Sequence, residues 1–202
     1  MAEGLDLLKE QWKKQNKNLP KYNQNELYAM LQKKSTSIVK WIFVISILEF
    51  LFWIGLEIVS YFYDFNDVID EINLTYFYRI TLVINHIVII GFIVLFFIRY
   101  KKINITDNSK ELMRSIIKTR NTVKAYVWFN VVFFIISFVI TNYYTVKHLS
   151  IEEEGFIWGY ILGVFIVMLV FVGLLLLFYR IIYGTLIKRL YKNYEQLKKL
   201  EL

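Results

Sequence analysis

Four long apolar stretches alternate with polar segments along the chain. They cover residues 38–62, 76–98, 125–144 and 156–182. Each is about as long as the ~20 apolar residues that a helix needs to cross ~30 Å of hydrocarbon. Apolar residues follow one another without interruption, as in residues 131–136, whereas the strands of a membrane barrel alternate apolar and polar residues. The pattern therefore predicts an all-α fold, a four-helix transmembrane bundle.

Helical patterns continue beyond the ends of these stretches. Asn23 and Glu26 have the spacing of an N-cap and its third helical residue, and so do Asn108 and Glu111. Each pair precedes apolar residues at helical spacing that lead into the first and the third stretch. The membrane helices are therefore predicted to extend into the polar segments.

The tail repeats this design after the fourth stretch. A heptad seam is spaced by four, three, four and three residues; it consists of Tyr183, Ile187, Leu190, Tyr194 and Leu197. The domain organisation predicted is a helical N-terminal segment at 1–37, a membrane domain at 38–183 with a helix at 108–124 outside the bilayer, and a C-terminal helix at 184–202. We expect the extensions to pack on each other as a small bundle in the cytoplasm.

The charges of the polar segments predict the orientation. Lys and Arg are concentrated before the first stretch, between the second and third, and in the tail, whereas the two other loops are acidic. Basic loops stay on the cytoplasmic side, so both termini are predicted to be cytoplasmic. The first apolar stretch begins only after a long charged segment, as expected of a retained anchor. Heavy use of Lys, Asn, Ile, Phe and Tyr is typical of an AT-rich bacterial genome, which indicates a bacterial inner membrane.

The net charge of +7 is explained by this orientation signal. Basic residues near helix ends meet anionic lipid headgroups, and no nucleic-acid recognition motif accompanies them. The lipid bilayer is therefore the expected partner, and nucleic acid is not. Aromatic residues near the span ends are interpreted as interfacial belts; among them are Trp41, Tyr61, Tyr76, Tyr143, Trp158, Tyr179 and Tyr183.

Ionisable side chains inside the first two spans are costly in lipid and are candidates for function. The first span contains Glu49 and Glu57, and the second contains Arg79, His86 and the neighbouring Asn85. In an antiparallel hairpin, residues at equal depth have a nearly constant sum of residue numbers. This rule predicts that Glu49 contacts His86 and that Glu57 contacts Arg79.

Two roles remain open for this intramembrane polar network. The pairs could act as a clamp that sets the register of the hairpin, since hydrogen bonds in membranes average only ~0.6 kcal/mol in one well-studied protein. They could also handle protons or cations, because Glu and His at mid-membrane can relay protons. Asn130 of the third span could join the Glu49 group or bond a neighbouring helix.

Two further features are candidates for contacts with other molecules. Gly155, Gly159 and Gly163 form a ridge of small residues in the fourth span, which favours close helix packing within the bundle or between two protomers of a homodimer. Leu5, Leu8 and Trp12 have helical spacing in the N-terminal segment. This segment could be a structural extension or a docking element for a soluble cytoplasmic protein.

The residue inventory excludes several kinds of chemistry. The chain has no Cys and only two His, His86 and His148, so it has no thiolate site and too few ligands for a di-iron or zinc site in the bundle. No nucleotide-binding or hydrolase motif is present. We therefore expect no cofactor, no metal and no enzyme activity. The pattern favours a regulatory or scaffolding membrane protein that binds a partner through its cytoplasmic helices; the alternative is a small proton- or ion-linked transport component.

Several short motifs together carry a resemblance that covers the whole chain. They are residues 7–13 (LLKEQWK), 35–43 (STSIVKWIF), 105–108 (ITDN) and 117–124 (IKTRNTVK). This combination resembles an uncharacterised family of small four-span bacterial inner-membrane proteins. Members of that family often bear the automatic label beta-carotene 15,15'-monooxygenase. Enzymes of that kind resemble β-propellers that hold iron with four His, and this chain has neither propeller-like strand repeats nor enough His, so we reject that activity.

Overall fold

The computed structural model describes residues 23–63, 69–70, 74–106, 108–148 and 154–200. The helices are α1 (Gln24–Phe62), α2 (Thr75–Asn104), α3 (Ser109–His148), α4 (Glu154–Tyr179) and α5 (Thr185–Leu200), and a π-helical turn, Arg180–Gly184, joins α4 to α5. No strand occurs in these ranges. The all-α prediction is confirmed.

Four helical stretches are long and apolar enough to cross a membrane: α1, α2, α3, and α4 with its continuation into α5. The chain is therefore a multi-pass membrane protein. One end of the bundle holds the start of α1, the end of α2, the start of α3 and the end of α5, and we call it the terminal end. The opposite end, with Phe62, Thr75, His148 and Glu154, is the loop end.

Both predicted helix starts are found where the spacing placed them. The backbone N–H of Asn23 donates to Oε2 of Glu26 at 3.0 Å, which satisfies one of the donors that a helix start leaves unpaired. Asn108 Oδ1 accepts from the N–H of Lys110 at 2.9 Å. Glu111, however, uses its carboxylate for an ion pair with Lys102 at 3.3 Å, so this side chain ties α3 to α2.

The terminal end has a buried apolar core to which all the long helices except α4 contribute. We call it the terminal core; its buried residues are Leu31, Val39, Ile103, Leu112, Ile116, Leu190 and Leu197. The stripes that predicted packing among the extensions are thus buried here, and the seam of α5 lies against the core. The sequence missed one contributor, because α2 also continues past its predicted span to Asn104.

Polar contacts connect the helices around the terminal core. The Tyr28 hydroxyl donates to the Thr106 carbonyl at 2.9 Å, which joins α1 to the end of α2. Asn193 Nδ2 of α5 donates to Ser35 Oγ of α1 at 3.1 Å, and both residues are buried. A buried polar pair is costly when misaligned, so this contact favours a single register of α5 on α1.

A second apolar cluster lies next to the terminal core, toward the middle of the bundle. This central core comprises Ile42, Phe96, Val123, Tyr126, Tyr179 and Tyr183. Few described residues are buried beyond it toward the loop end. Along the bundle, α1 packs on α2, α2 on α3 and α3 on α4. Dense packing at one end and looser packing at the other leave room for a cavity. The predicted docking residues Leu5, Leu8 and Trp12 lie outside the described residues.

Candidate functional site

Glu49, which is partly buried, is the centre of a polar cluster in the middle of the bundle. Its Oε1 accepts a hydrogen bond from the Tyr179 hydroxyl at 2.6 Å, and its Oε2 accepts one from the Tyr183 hydroxyl at 3.0 Å. Hydrogen bonds to a carboxylate are stronger than neutral ones. The carboxylate of α1 is therefore held by the segment that joins α4 to α5.

Tyr126 of α3 completes this cluster through its ring. The ring is fully buried and meets Phe92, Phe96, Tyr179 and Tyr183 with centroid distances of 5.3, 5.7, 6.1 and 5.7 Å. Such edge-to-face pairs stabilise the fold beyond the gain from burying the rings. The Tyr126 hydroxyl is also buried, yet it makes no hydrogen bond to any described residue. The Tyr126 ring therefore contributes packing, and its hydroxyl lies close enough to Glu49 to interact with the carboxylate charge.

The π-helical turn explains how two tyrosines reach one carboxylate. Leu175, Tyr179, Tyr183 and Ile187 all contribute to the central core, and they follow one another in steps of four. On an ideal helix of 3.6 residues per turn, each step of four rotates the side chain by about 40°. The wider π turn at Arg180–Gly184 offsets this rotation and keeps the four side chains on one face. Such turns often occur at functional sites.

The structure contradicts the two predicted carboxylate pairs. Glu49 bonds tyrosines, and His86 Nε2 instead lies 3.4 Å from Glu57 Oε2. The predicted depth was nearly right, because His86 packs on Phe50, the neighbour of Glu49, with 5.5 Å between ring centroids. Glu49 points elsewhere because adjacent residues on a helix face about 100° apart.

The direction of the side chains explains why Glu57 takes the place of Glu49. Side chains lean toward the N-terminus of their helix, so in antiparallel helices Glu57 and His86 lean toward each other. His86 follows this rule, since its Nδ1 lies 2.7 Å from the carbonyl oxygen of Leu82, one turn back. Arg79 is exposed near the start of α2, and no ion pair between Arg79 and Glu57 is found among the described residues.

The two asparagines of the predicted network lie on either side of the bundle interior. Asn130 Nδ2 donates to the Tyr126 carbonyl of its own helix at 2.8 Å. This bond replaces both contacts that the sequence suggested for Asn130, the one with Glu49 and the one with a neighbouring helix. Asn85 Oδ1 is buried and has no hydrogen-bond partner among the described residues. Both asparagines line a cavity.

This cavity has a volume of about 530 Å³ and lies toward the loop end. Its wall includes Trp53 of α1 together with residues of α2, α3 and α4. Tyr179 forms part of its inner boundary and at the same time donates to Glu49. The cavity therefore reaches to within one side chain of the Glu49 carboxylate.

The predicted glycine ridge does not bring helices of this chain together. A Cβ atom built at Gly159 or Gly163 would meet nothing within 4 Å, because α4 packs on α3 through other positions, such as Tyr160, which bonds Asn142. For Gly155 the structure describes only its position in the first turn of α4. The alternative role of the ridge, in a homodimer, stays a prediction.

Basic side chains gather near the terminal end of α2 and α3. Arg114 lowers the pKa of the exposed Lys118 ammonium group below its usual value, because like charges disfavour each other, and desolvation, Lys102 and Arg99 act in the same direction. This surface therefore has an excess of positive charge next to the predicted bilayer boundary, and it favours anionic contacts.

The described residues contain no cluster of metal-binding side chains. No group of three or more His, Asp and Glu that could hold a metal ion occurs in the described part of the chain. The Glu49 cluster consists of one carboxylate and phenols. Such a set can hold a proton or a small cation by hydrogen bonding and charge, and it contains no paired acid and base for hydrolysis.

Sequence reasoning missed the tyrosines that matter most here. Tyr179 and Tyr183 were interpreted as belt residues, but they are 5% and 1% exposed. The available signal was the seam, since Tyr183 begins it and Tyr179 lies one step of four before it. The π turn determines which carboxylate they bind, and no local sequence pattern predicted this turn.

We expect that Tyr126→Phe changes the free energy of unfolding by no more than about 0.5 kcal/mol, because the lost hydroxyl is buried without a partner. The matched control is Tyr179→Phe, which removes a hydrogen bond to Glu49 and should cost about 1 kcal/mol or more. Unfolding by sodium dodecyl sulfate, followed by circular dichroism, compares the two. Equal losses would mean that the Tyr126 hydroxyl has a partner.

Comparison with known proteins supplies a family without a function. No curated protein and no solved structure matches the chain with statistical significance. One family profile matches residues 25–202, and its description is a domain of unknown function, DUF8845. The matched region begins within the first turn of α1 and contains Glu49, its two tyrosine partners and the cavity. The chain belongs to the DUF8845 family.

Proposed function

We propose that the chain is a non-enzymatic regulatory or scaffolding protein of a bacterial inner membrane, with both termini in the cytoplasm. It binds a soluble protein through the helices at the terminal end. The observation that supports this proposal is the terminal core, in which extensions of the membrane helices bury a common apolar interior. A rigid bundle continuous with membrane helices suits a docking platform better than isolated tails would.

The charge of the terminal end suggests the chemistry of the partner. Exposed basic residues occur on three of its helices; they include Lys33, Lys34, Lys118, Lys188 and Lys192. Together with Arg114 they favour a partner that presents an acidic surface. Lipid headgroups compete for the residues nearest the bilayer, so the residues farther from it carry more of the partner's specificity.

Photo-cross-linking in cells that carry the protein naturally tests this proposal. A photoreactive amino acid replaces Tyr191, an exposed residue of α5, and the matched control replaces Tyr143, an exposed residue near the loop end. We expect a discrete protein adduct only at Tyr191, and the double variant Lys188→Glu with Lys192→Glu should reduce it about tenfold or more. Purified partner should then bind the full chain with the same charge dependence.

Two results would contradict the docking proposal. One is the same set of adducts at Tyr143 and Tyr191, which would mean random collisions. The other is an adduct at Tyr191 whose yield does not respond to charge reversal, which would mean that the basic surface is not the binding surface.

A proton- or ion-linked transport role is the second candidate, and one observation favours it. The cavity ends at Tyr179, whose hydroxyl donates to Glu49, so a space toward the loop end reaches the hydrogen-bond partner of a carboxylate inside the bundle. The sequence assigned this role to a Glu49–His86 pair, but the residues concerned would be Glu49 and its tyrosines. Proteoliposomes with a trapped pH dye test it: proton entry above that of Glu49→Gln liposomes supports transport, and equal leakage rejects it.

A further inference from the structure

The cavity at the loop end has a shape and a lining that suit a particular class of ligand. Its volume of about 530 Å³ falls within the range of small-molecule pockets. The space is smaller than a two-chain phospholipid needs, but it suits a single alkyl chain or a small ring system. The cavity lies among the membrane helices, so lipid-soluble molecules are the ligands present at high concentration around it.

The lining indicates that this ligand is uncharged. Most of the wall is aromatic or aliphatic, with Trp53, Phe77, Phe133, Phe138 and Leu175 among its residues. None of the described lining residues is Asp, Glu, Lys, Arg or His. A charged ligand would therefore lose its hydration without gaining a counter-charge, which is strongly unfavourable.

The polar side chains of the lining indicate that the ligand carries a hydrogen-bonding group. Asn85 lines the cavity, and its Oδ1 is enclosed by protein atoms without a partner among the described residues. The rest of the amide can therefore meet a ligand, and a polar side chain left unpaired in an apolar cavity is costly. Elsewhere in the lining, Asn142 Oδ1 accepts from Tyr160, and Asn142 Nδ2 donates to the Phe138 carbonyl. What this cavity lacks is therefore a hydrogen-bonding group near the Asn85 amide.

We propose that the cavity binds a neutral, largely apolar molecule with a hydroxyl group, taken from the bilayer, whose hydroxyl hydrogen-bonds to the Asn85 amide. The apolar body of the molecule packs against the aromatic wall formed by α2 and α3. This site is independent of the proposed docking function, because it lies at the opposite end of the bundle.

Tryptophan fluorescence tests the proposal on the full chain in lipid nanodiscs, because Trp53 lines the cavity and bromine quenches indole on contact. The probe is undecanol with a terminal bromine. We expect a saturable component of quenching that disappears in Trp53→Phe. The matched control, Trp158→Phe, should keep that component, since Trp158 is 71% exposed and does not line the cavity.

Two comparisons test the hydrogen bond to Asn85. Bromine-terminated undecane, which has no donor, and bromine-terminated undecanoate, which is charged, should each bind about tenfold more weakly than the alcohol. Asn85→Leu should reduce the affinity for the alcohol about tenfold and leave the affinity for bromoundecane unchanged. Val83→Leu, an exposed neighbour on α2, should change neither.

A third variant separates loss of binding from loss of the fold. Ser137→Phe fills the cavity and should abolish the saturable component for every probe. Non-saturable quenching, equal affinities for the three probes on the natural protein, or an Asn85→Leu variant that binds the alcohol normally would each overturn the proposal. The comparison of the three probes decides the matter even if a variant fails to fold.

Discussion

Leu190→Asp is expected to release α5 from the bundle, with a loss of more than about 4 kcal/mol. Leu190 is 1% exposed in the terminal core. A carboxylate at this position would be buried among apolar side chains without a partner, which is among the most destabilising of single changes. The helix itself would lose little, so the effect should appear as detachment of α5 from α1 and α3.

A cysteine at Ser35 measures this detachment, because the natural chain has no Cys. Ser35 is fully buried and accepts a hydrogen bond from Asn193 of α5. In a Ser35→Cys background, a loss of about 4 kcal/mol corresponds to an increase of roughly a thousandfold in the fraction of molecules open to maleimide. The labelling rate should rise accordingly while the membrane helices stay intact by circular dichroism.

The matched control for Leu190→Asp is Gln196→Asp on the same helix. It introduces the same charge at an exposed position and should change stability by about 0.5 kcal/mol or less. If both variants label at the same rate, the negative charge alone loosens α5, and the terminal core does not hold it. The proposed docking surface would then lack the rigid base that supports it.

Glu49→Leu is expected to lower the free energy of unfolding by about 2–3 kcal/mol. The change keeps a side chain of similar volume but leaves the hydroxyls of Tyr179 and Tyr183 without their acceptor. A hydrogen bond to a charged group contributes ~1.5–3 kcal/mol in soluble proteins and up to ~1.7 kcal/mol in a membrane protein. Glu49→Gln keeps one carbonyl acceptor and should cost about half as much.

A double-mutant cycle tests whether the tyrosines account for this loss. Unfolding in sodium dodecyl sulfate is measured for Glu49→Leu, for Tyr179→Phe with Tyr183→Phe, and for the triple variant. We expect a coupling energy of about 2 kcal/mol, because removing the hydroxyls also removes the unpaired donors. Glu57→Leu is the matched control. It loses one 3.4 Å contact with His86 and should cost about 1 kcal/mol or less, the usual size for a single polar contact between membrane helices.

The outcome for Glu49 also bears on the choice between the proposed functions. Strong coupling without proton flux would mean that the carboxylate clamps α1 to the segment joining α4 and α5, which lies directly beside the terminal core. A ligand in the cavity would then touch the same clamp through Tyr179. Weak coupling together with a proton flux that depends on Glu49 would favour the transport role instead.

The sequence by itself was sufficient for the helices, because their signals are local. Apolar stretches of membrane-spanning length, the caps at Asn23 and Asn108, and the seam through Leu190 and Leu197 each depend on neighbours within a few residues. The structure has these features where the pattern predicted them. Helix propensity and lipid solvation act on short segments, so a single sequence suffices to read them.

The contacts between helices depend on the directions in which side chains point, and the sequence alone does not determine these directions. Equal depth correctly brought His86 beside Phe50, but the lean of the side chains paired it with Glu57. The π turn brought Tyr179 and Tyr183 onto one carboxylate. A rotation of about 100° separates adjacent residues of a helix, so a small change in helix phase decides which partner a side chain meets. Only the tertiary packing determines that phase, and with it the Glu49 cluster and the cavity.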